Sequence, residues 1–220
     1  MHKQYVSRKR RYRNEEQTTQ TEPKSKPKAS DSDSDSGDEE DYDVYRRGTA
    51  VYFNVRISVQ SIAKLRRILD EACQCAMKNS NTLQRPQVAL YIHSPGGDVF
   101  AGFSGYHMIK RSPVTITTIA DGHVASAATF LLLAGKMRYI VPGSHVLIHQ
   151  LSTVAFGKFD EISDEYKNCQ NIMARMSEMY KSETSLSDKK LKKLLKGELD
   201  LTDAECLNYN IVSDFLPAYN

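Results

Sequence analysis

The sequence predicts an α/β protein in which helices cross over a mainly parallel β-sheet. Residues 86–93 form a nearly continuous apolar run, as expected of a strand whose two faces are both covered by helices. Between residues 50 and 148, strand-like runs also alternate with turns and helix-like segments. A strand reaches a parallel neighbour only through such a crossover, so the chain is predicted to repeat β-β-α and βαβ units.

The individual elements follow from residue type and periodicity. Short runs of apolar residues, many of them β-branched or aromatic, predict strands at 50–57, 86–93, 114–120, 137–141 and 145–148. Helices are predicted at 61–77, at 99–110, from near residue 126, at 159–183 and at 186–195. A short last helix is predicted to begin at Thr202, because Thr202 and Glu205 have the spacing of a capping box.

The predicted helix at 159–183 is long and carries a narrow apolar seam. Two interpretations of this seam stay open, since it could pack on its own domain or form a subunit contact. The seam consists of Ile162, Tyr166, Cys169, Met173, Met176 and Tyr180.

The chain divides into a charged tail, residues 1–46, and a folded domain, residues 47–220. The tail combines a basic cluster at 8–13 with an acidic, serine-rich stretch at 30–43 and has almost no apolar residues, so we expect it to be disordered. A solvated tail is the simplest interpretation of these charges. Nuclear targeting or anion binding by the basic cluster, and phosphorylation of the serines, are alternatives.

Composition excludes several classes of function. Residues 48–220 hold 19 basic and 16 acidic groups, so the folded part is nearly balanced in charge and we expect no nucleic-acid partner. No apolar run is long enough to cross a bilayer and the N-terminus is basic and polar, which predicts a soluble, cytoplasmic protein with no membrane partner. The four cysteines lack zinc-ligand spacing, so we expect reduced thiols and neither metal nor cofactor.

Three positions near strand ends carry candidate chemistry. Ser126 lies between a strand and a helix, where a serine can be a nucleophile, although small residues at such a junction also serve close packing. Gly96 and Gly97 follow a buried strand and leave backbone N–H groups unobstructed. His149 ends the run at 145–148, and an imidazole is the base that a serine hydroxyl needs near neutral pH.

Three motifs together resemble the Clp protease proteolytic subunit (ClpP) family of serine peptidases. They are Ser-Pro-Gly-Gly at 94–97, Ala-Ser-Ala-Ala at 125–128 and Val-Leu-Ile-His-Gln at 146–150, and the likeness extends over residues 51–214. The resemblance implies the ClpP/crotonase-like fold with a long protruding helix. It further implies an intracellular endopeptidase with Ser126 as nucleophile, His149 as general base and an oxyanion hole formed by the backbone N–H groups of Gly97 and Ala127.

The acid of the triad is where this chain departs from the family pattern. The family's aspartate position corresponds to Glu198, a longer side chain of the same charge, and Asp200 is the alternative two residues further on. We expect Glu198 to orient the imidazole of His149.

The resemblance also implies how a polypeptide substrate binds, as an extended strand between two backbone segments. The substrate-binding residues predicted in this way are Asp98, Val99, Leu151, Ser152 and Thr153. Family members form seven-membered rings that stack in pairs and are fed by an ATP-driven AAA+ unfoldase. This chain has no nucleotide-binding Gly-x-x-x-x-Gly-Lys-Ser/Thr motif, so any use of ATP belongs to such a partner.

Two other functions remain open at this point. An enoyl-CoA hydratase-like enzyme would share the fold and use the backbone N–H pair for a thioester oxyanion. A ring or particle-assembly protein could retain the fold with weakened hydrolysis, and the unusual Glu198 keeps this alternative open.

Overall fold

The computed structural model describes residues 44–80 and 85–217. Its strands are β1 (Val44–Arg47), β2 (Ala50–Phe53), β3 (Gln87–Ser94), β4 (Thr115–Ala125), β5 (Met137–Ile140), β6 (His145–Leu147) and β7 (Asp214–Phe215). Its helices are α1 (Val59–Asn79), α2 (Val99–Lys110), α3 (Ala128–Ala134), α4 (Phe159–Glu183), α5 (Asp188–Lys196) and α6 (Asp203–Asn208). The predicted α/β class with a mainly parallel sheet is confirmed, and α2 and α4 match their predicted bounds.

The sheet has the strand order β1-β2-β3-β4-β5-β7, and β6 pairs with β4 beyond the end of β5. Every pairing is parallel except the hairpin between β1 and β2. The strand β4 is long because its first half pairs with β5 and its last residues pair with β6, where Val124 lies opposite Val146. The carboxyl ends of β3, β4 and β6 therefore meet at one edge, where open α/β sheets hold their ligands.

The core lies between the sheet and the helices that cross it. In β3, Val88, Leu90 and Ile92 are fully buried on one face. The residues of the other face are half-buried or exposed, so the prediction that helices cover both faces of this strand is wrong for that face. All seven residues of α3 are buried, which explains why this helix is apolar on every side rather than along one stripe. The helix α3 begins directly after the turn at Ser126, and its burial holds the end of that turn in place.

The two halves of the apolar seam on α4 differ in burial. Met176 and Tyr180 are buried in the domain, whereas Ile162 and Tyr166 near the start of the helix are 43% and 65% exposed. The second half of the helix thus packs on its own domain, and the first half presents apolar side chains without a covering element in the described part of the chain.

The N-terminal boundary and the first strand differ from the prediction. Residues 44–46 belong to β1 rather than to the charged tail, because Val44 is buried and β1 pairs with β2 around Gly48. A four-residue edge strand with one inward apolar residue has too little periodicity to be recognised. The strand β2 ends at residue 53, and Ile57 instead forms an isolated bridge with Gly97. The rest of the predicted tail, residues 1–43, lies outside the described residues.

The remaining differences are small. The two-residue strand β7 was not predicted, since so short a pairing leaves no pattern in the sequence. The helix α6 begins after Thr202 with the predicted capping box to Glu205. All four cysteines are free thiols, and Cys73 and Cys206 are buried. Over residues 44–80 and 85–217, no helix has both the length and the apolar character needed to cross a membrane.

Candidate active site

Ser126 occupies the turn between β4 and α3, and it is half-buried at the edge of the sheet. Its φ angle is 56°, a left-handed conformation that is uncommon for a residue other than glycine. The amide of Ser126 donates a hydrogen bond of 2.8 Å to the carbonyl of Leu147, which ties the turn to the end of β6. A sharp strand-to-helix turn of this kind holds its central side chain away from the sheet.

The diglycine turn lies directly against the Ser126 turn. Gly96 has a φ angle of 85°, and a Cβ atom placed on it would lie 2.6 Å from both the carbonyl oxygen of Ala125 and Cβ of Ser126. At Gly97 a Cβ atom would lie 2.1 Å from the carbonyl oxygen of Ile57. Contacts below about 3 Å are not tolerated between such atoms, so the approach of these backbones requires glycine at both positions.

Two backbone amides beside Ser126 are available to a ligand. Ile57 forms hydrogen bonds with Gly96 and Asp98, the two neighbours of Gly97, so the N–H of Gly97 points to the opposite side. Neither that amide nor the amide of Ala127 donates a hydrogen bond to another group within residues 44–80 and 85–217. This is the arrangement that an oxyanion hole requires, because its donors must be free before substrate arrives.

His149 follows β6, and its side chain is 21% exposed. Nδ1 of His149 lies 3.4 Å from Oε1 of Glu198. Backbone hydrogen bonds on either side of His149 hold the segment that carries this carboxylate. Gln150 donates to the carbonyl of Leu195 at 2.8 Å, and β6 pairs with Leu201 through Val146.

Asp200, the alternative acid, has a different partner. Its carboxylate lies 2.9 Å from Nε2 of His123, a residue of β4, and both side chains are substantially exposed. Of the two acids considered in the sequence, only Glu198 is thus within ion-pair distance of His149. The Glu198 side chain is itself 72% exposed, and an ion pair so open to water is individually weak.

A cleft of about 680 Å³ joins these groups. Ser126, His149, Gly97 and Ala127 all line it, and so do the five residues predicted to bind substrate: Asp98, Val99, Leu151, Ser152 and Thr153. The carboxylate of Asp98 accepts a hydrogen bond of 2.6 Å from the amide of Ala101 and caps α2, so this side chain is already engaged. The main chain of Asp98 is engaged as well, because its amide donates to the carbonyl of Ile57 and its carbonyl accepts from the amide of Gly102, both at 3.0 Å.

The sequence did not predict that the hydroxyl groups of Thr129 and Tyr180 support the turn at Ser126 from the protein interior. Thr129 Oγ1 donates to the carbonyl of Ser126 and also lies within hydrogen-bond distance of the Tyr180 hydroxyl, which is buried. Thr129 is the single polar residue in the apolar run 128–134, which is the one signal that could have drawn attention to it. The role of Tyr180 had no such signal, since its spacing assigned it to the seam of α4.

Within the described ranges, 44–80 and 85–217, no three His, Cys, Asp or Glu side chains are grouped so that they could hold a metal ion.

The parallel sheet, its crossover helices and the long helix α4 define an α/β protein with the ClpP/crotonase-like fold. Residues 53–217 match the family model described as Clp protease. The chain is also 33% identical, over 142 residues, to the ATP-dependent Clp protease proteolytic subunit 2 of Treponema denticola, an alignment that covers 64% of this chain and 70% of that protein. The chain therefore belongs to the Clp protease family, and the resemblance given by its three motifs is confirmed.

Membership of this family makes the protein a ClpP-like member of the serine peptidases. The enoyl-CoA hydratase-like alternative is not supported, since both matches are to Clp proteases.

Proposed function

We propose that this chain is the proteolytic subunit of an intracellular protease and hydrolyses peptide bonds of unfolded polypeptides by a Ser126–His149–Glu198 triad. The observation that carries this proposal is the shared cleft, which Ser126 and His149 line together with Gly97 and Ala127. A hydroxyl, a base and two free amide donors that line one cleft are the minimum set for acyl transfer.

In this proposal each group has one task. Because Nδ1 of His149 faces Glu198, the other ring nitrogen, Nε2, is left to take the proton of the Ser126 hydroxyl. The hydroxyl oxygen then attacks the substrate carbonyl carbon, and the negative oxygen that forms accepts hydrogen bonds from the amides of Gly97 and Ala127. His149 returns its proton to the leaving amine, and water, activated by the same imidazole, hydrolyses the acyl-enzyme.

The substrate is proposed to bind as an extended strand. Residues 151–156 are outside any helix or strand of the protein, and apart from half-buried Leu151 they are exposed, so their backbone is accessible to a peptide. A second segment that lines the cleft, the chain leaving Gly97, is extended at Asp98 before α2 begins. Main-chain hydrogen bonds to Val99 and 151–153, with Asp98 lining the cleft beside them, would hold a peptide with little regard to its side chains, which suits a protease of unfolded proteins.

We further propose that the subunit works as a homo-oligomer, with the family's heptameric ring, single or stacked in pairs, as the expected form. Support comes from exposed apolar side chains that precede and begin α4, which an isolated subunit would leave in water. They are Val154, Phe156, Phe159, Ile162 and Tyr166. An AAA+ unfoldase is the proposed source of unfolded substrate, and the residues before β1, 1–43, are proposed to be a charged tail.

Covalent labelling tests the proposal directly. Intact protein is treated with a fluorophosphonate probe, and the modified residue is mapped by mass spectrometry. We expect modification of Ser126 and its loss in Ser126→Ala, with normal labelling in Ser182→Ala, whose hydroxyl only bonds to its own helix. Labelling that persists in Ser126→Ala, or none in the wild-type protein, would overturn the assignment.

One observation favours a second candidate, a ring or assembly protein with weakened hydrolysis. The acid of the proposed triad is 72% exposed and 3.4 Å from its imidazole, a looser arrangement than a buried aspartate provides. Peptide turnover by purified protein distinguishes the two. Equal rates for wild type and Ser126→Ala, in a protein that still assembles, would favour the assembly protein.

A further inference from the structure

The carbonyl group of Ser126 is held by a chain of hydrogen bonds from the protein interior. Its oxygen accepts two of them from Thr129, one of 3.0 Å from the amide and one of 2.6 Å from Oγ1. The same Oγ1 lies 2.7 Å from the hydroxyl oxygen of Tyr180. Because Thr129 has one hydroxyl proton and gives it to Ser126, Tyr180 is the donor in the second bond.

The geometry points to Thr129 and Tyr180 as positioning residues that aim the amide of Ala127 into the cleft. The carbonyl of Ser126 and the N–H of Ala127 belong to one planar, trans peptide unit, in which oxygen and hydrogen point in opposite directions. Fixing the oxygen towards the interior therefore fixes the hydrogen towards the cleft, where the proposed oxyanion forms. This inference rests on the proposed function, because it assigns how one donor of that oxyanion hole is held.

The Ser126 turn needs such support. With a φ angle of 56°, Ser126 is in a region that residues with a Cβ atom rarely occupy, and such conformations persist only where the surroundings determine them. A peptide unit at this turn, without bonds on its carbonyl side, could rotate and carry the Ala127 amide away from the cleft. Two bonds from Thr129 to the same oxygen oppose that rotation.

Tyr180 is placed to make the arrangement rigid. It comes from α4, distant in the chain from the turn, and it is fully buried with its ring edge-on to Phe130 of α3, at 6.0 Å between ring centroids. Burial raises the pKa of Tyr180, so its hydroxyl keeps the proton that it donates over the working range of a protease. The length of the bond to Thr129 then depends on how α4 packs against α3.

The test compares variants that remove one hydroxyl and keep the shape of the side chain. Thr129→Val and Tyr180→Phe break the chain of bonds, whereas Thr129→Ser retains it. Thr118→Val is the matched control, since Thr118 is also fully buried and donates a hydrogen bond of 2.6 Å to another carbonyl of α3, that of Leu132. For each variant, kcat and KM are measured on a short fluorogenic peptide and the melting temperature is recorded.

We expect kcat to fall about 10-fold in Thr129→Val and about 3-fold in Tyr180→Phe, with KM within about two-fold of wild type, because losing an oxyanion donor altogether costs about 10²- to 10³-fold. Thr129→Ser should return kcat to near the wild-type value. If Thr129→Val lowers kcat no more than Thr118→Val, or changes KM instead, the positioning role is wrong.

A second measurement does not depend on activity. Crystal structures of wild type, Thr129→Val and Thr118→Val show the direction of the Ser126 carbonyl. Rotation of this carbonyl in Thr129→Val alone supports the inference, and an unchanged direction overturns it. A wild-type protein that is not labelled at Ser126 would instead count against the proposed function, and the carbonyl direction would still decide the role of Thr129.

Discussion

Oε1 of Glu198 lies 3.4 Å from Nδ1 of His149, although the two residues come from different segments of the chain. Backbone pairing accounts for this proximity, because Gln150 bonds to Leu195 and Val146 bonds to Leu201 on either side of the ion pair. A glutamate in this loop reaches the imidazole even though its carboxylate remains mostly in water. The relationship makes Glu198 a testable member of the proposed triad.

Replacing Glu198 by Gln should lower kcat/KM for a short peptide by about 10- to 100-fold. Removal of a buried triad acid costs about 10⁴-fold, and the smaller effect expected here follows from the exposure of Glu198, since water screens its charge. Steady-state hydrolysis of a fluorogenic peptide measures the change.

Asp200→Asn is the control. It removes the same charge at a position two residues from Glu198, and the carboxylate of Asp200 contacts His123 rather than His149. Its kcat/KM should stay within about three-fold of wild type. A larger loss in Asp200→Asn than in Glu198→Gln would exchange the roles of the two acids.

Gly96→Ala should disrupt the Ser126 turn, because the added Cβ atom would lie 2.6 Å from Ala125 and Ser126. Gly143→Ala isolates this steric effect. Gly143 has a φ angle of 83°, close to the 85° of Gly96, but no atom within 4 Å of the added Cβ. Both variants therefore share the cost of a left-handed alanine, about 1–2 kcal/mol, and only Gly96→Ala adds a collision.

Urea unfolding and fluorophosphonate labelling measure the two consequences. We expect Gly96→Ala to lose at least about 2 kcal/mol more unfolding free energy than Gly143→Ala and to react poorly with the probe. Equal stability and equal labelling in the two variants would show that the turns at Gly96 and Ser126 do not need this close approach.

Much of the fold was predictable because its signals are local. The strand β3 and the helices α1 and α4 are long and strongly patterned, so their type and approximate bounds follow from periodicity. The strands β1 and β7 were missed, since pairings of four or two residues are fixed by the neighbouring strand rather than by their own sequence. Propensity cannot reveal an element that exists only through its partner.

The sequence predicted the candidate residues that lie at strand ends, but not the contacts that Glu198, Thr129 and Tyr180 make with them. Ser126, Gly97 and His149 sit at strand ends, and the parallel sheet brings such ends to one edge. Which of Glu198 and Asp200 lies near His149 depends on the backbone pairing of Val146 with Leu201, which no local pattern encodes. The bond between Thr129 and Tyr180 likewise depends on how α4 packs against α3.

Stability should depend on pH through Glu183 at the end of α4. Burial alone would raise the pKa of Glu183, but hydrogen bonds from Tyr106 and Lys110 and the charges of Lys110 and Arg138 outweigh it, so the pKa lies below its ordinary value of 4.5. A carboxyl group with a lowered pKa in the folded state stabilises the protein above its unfolded pKa. This stabilisation is lost as the pH falls below about 4.5 and through the folded pKa.

Glu183→Gln should therefore lower the free energy of unfolding by about 1–3 kcal/mol at pH 7, and the difference from wild type should narrow below pH 4.5. Urea unfolding from pH 3 to pH 7 gives the profile. Glu178→Gln, on the exposed face of the same helix, should change stability little at any of these pH values. A gap between wild type and Glu183→Gln that widens with acid would contradict the assigned direction.

Tyr166→Asp should reduce the size of the assembly without unfolding the subunit. Tyr166 is exposed on the first half of α4, so a charge is tolerated in an isolated subunit but would have to be desolvated in a contact between subunits. Mass photometry measures the assembly, and the melting temperature reports on the fold. Asn168→Asp places the same charge at a polar exposed position of the helix and should leave the mass unchanged. If Tyr166→Asp keeps the wild-type mass, subunits must meet through another surface, and the exposed seam on α4 would need a different partner.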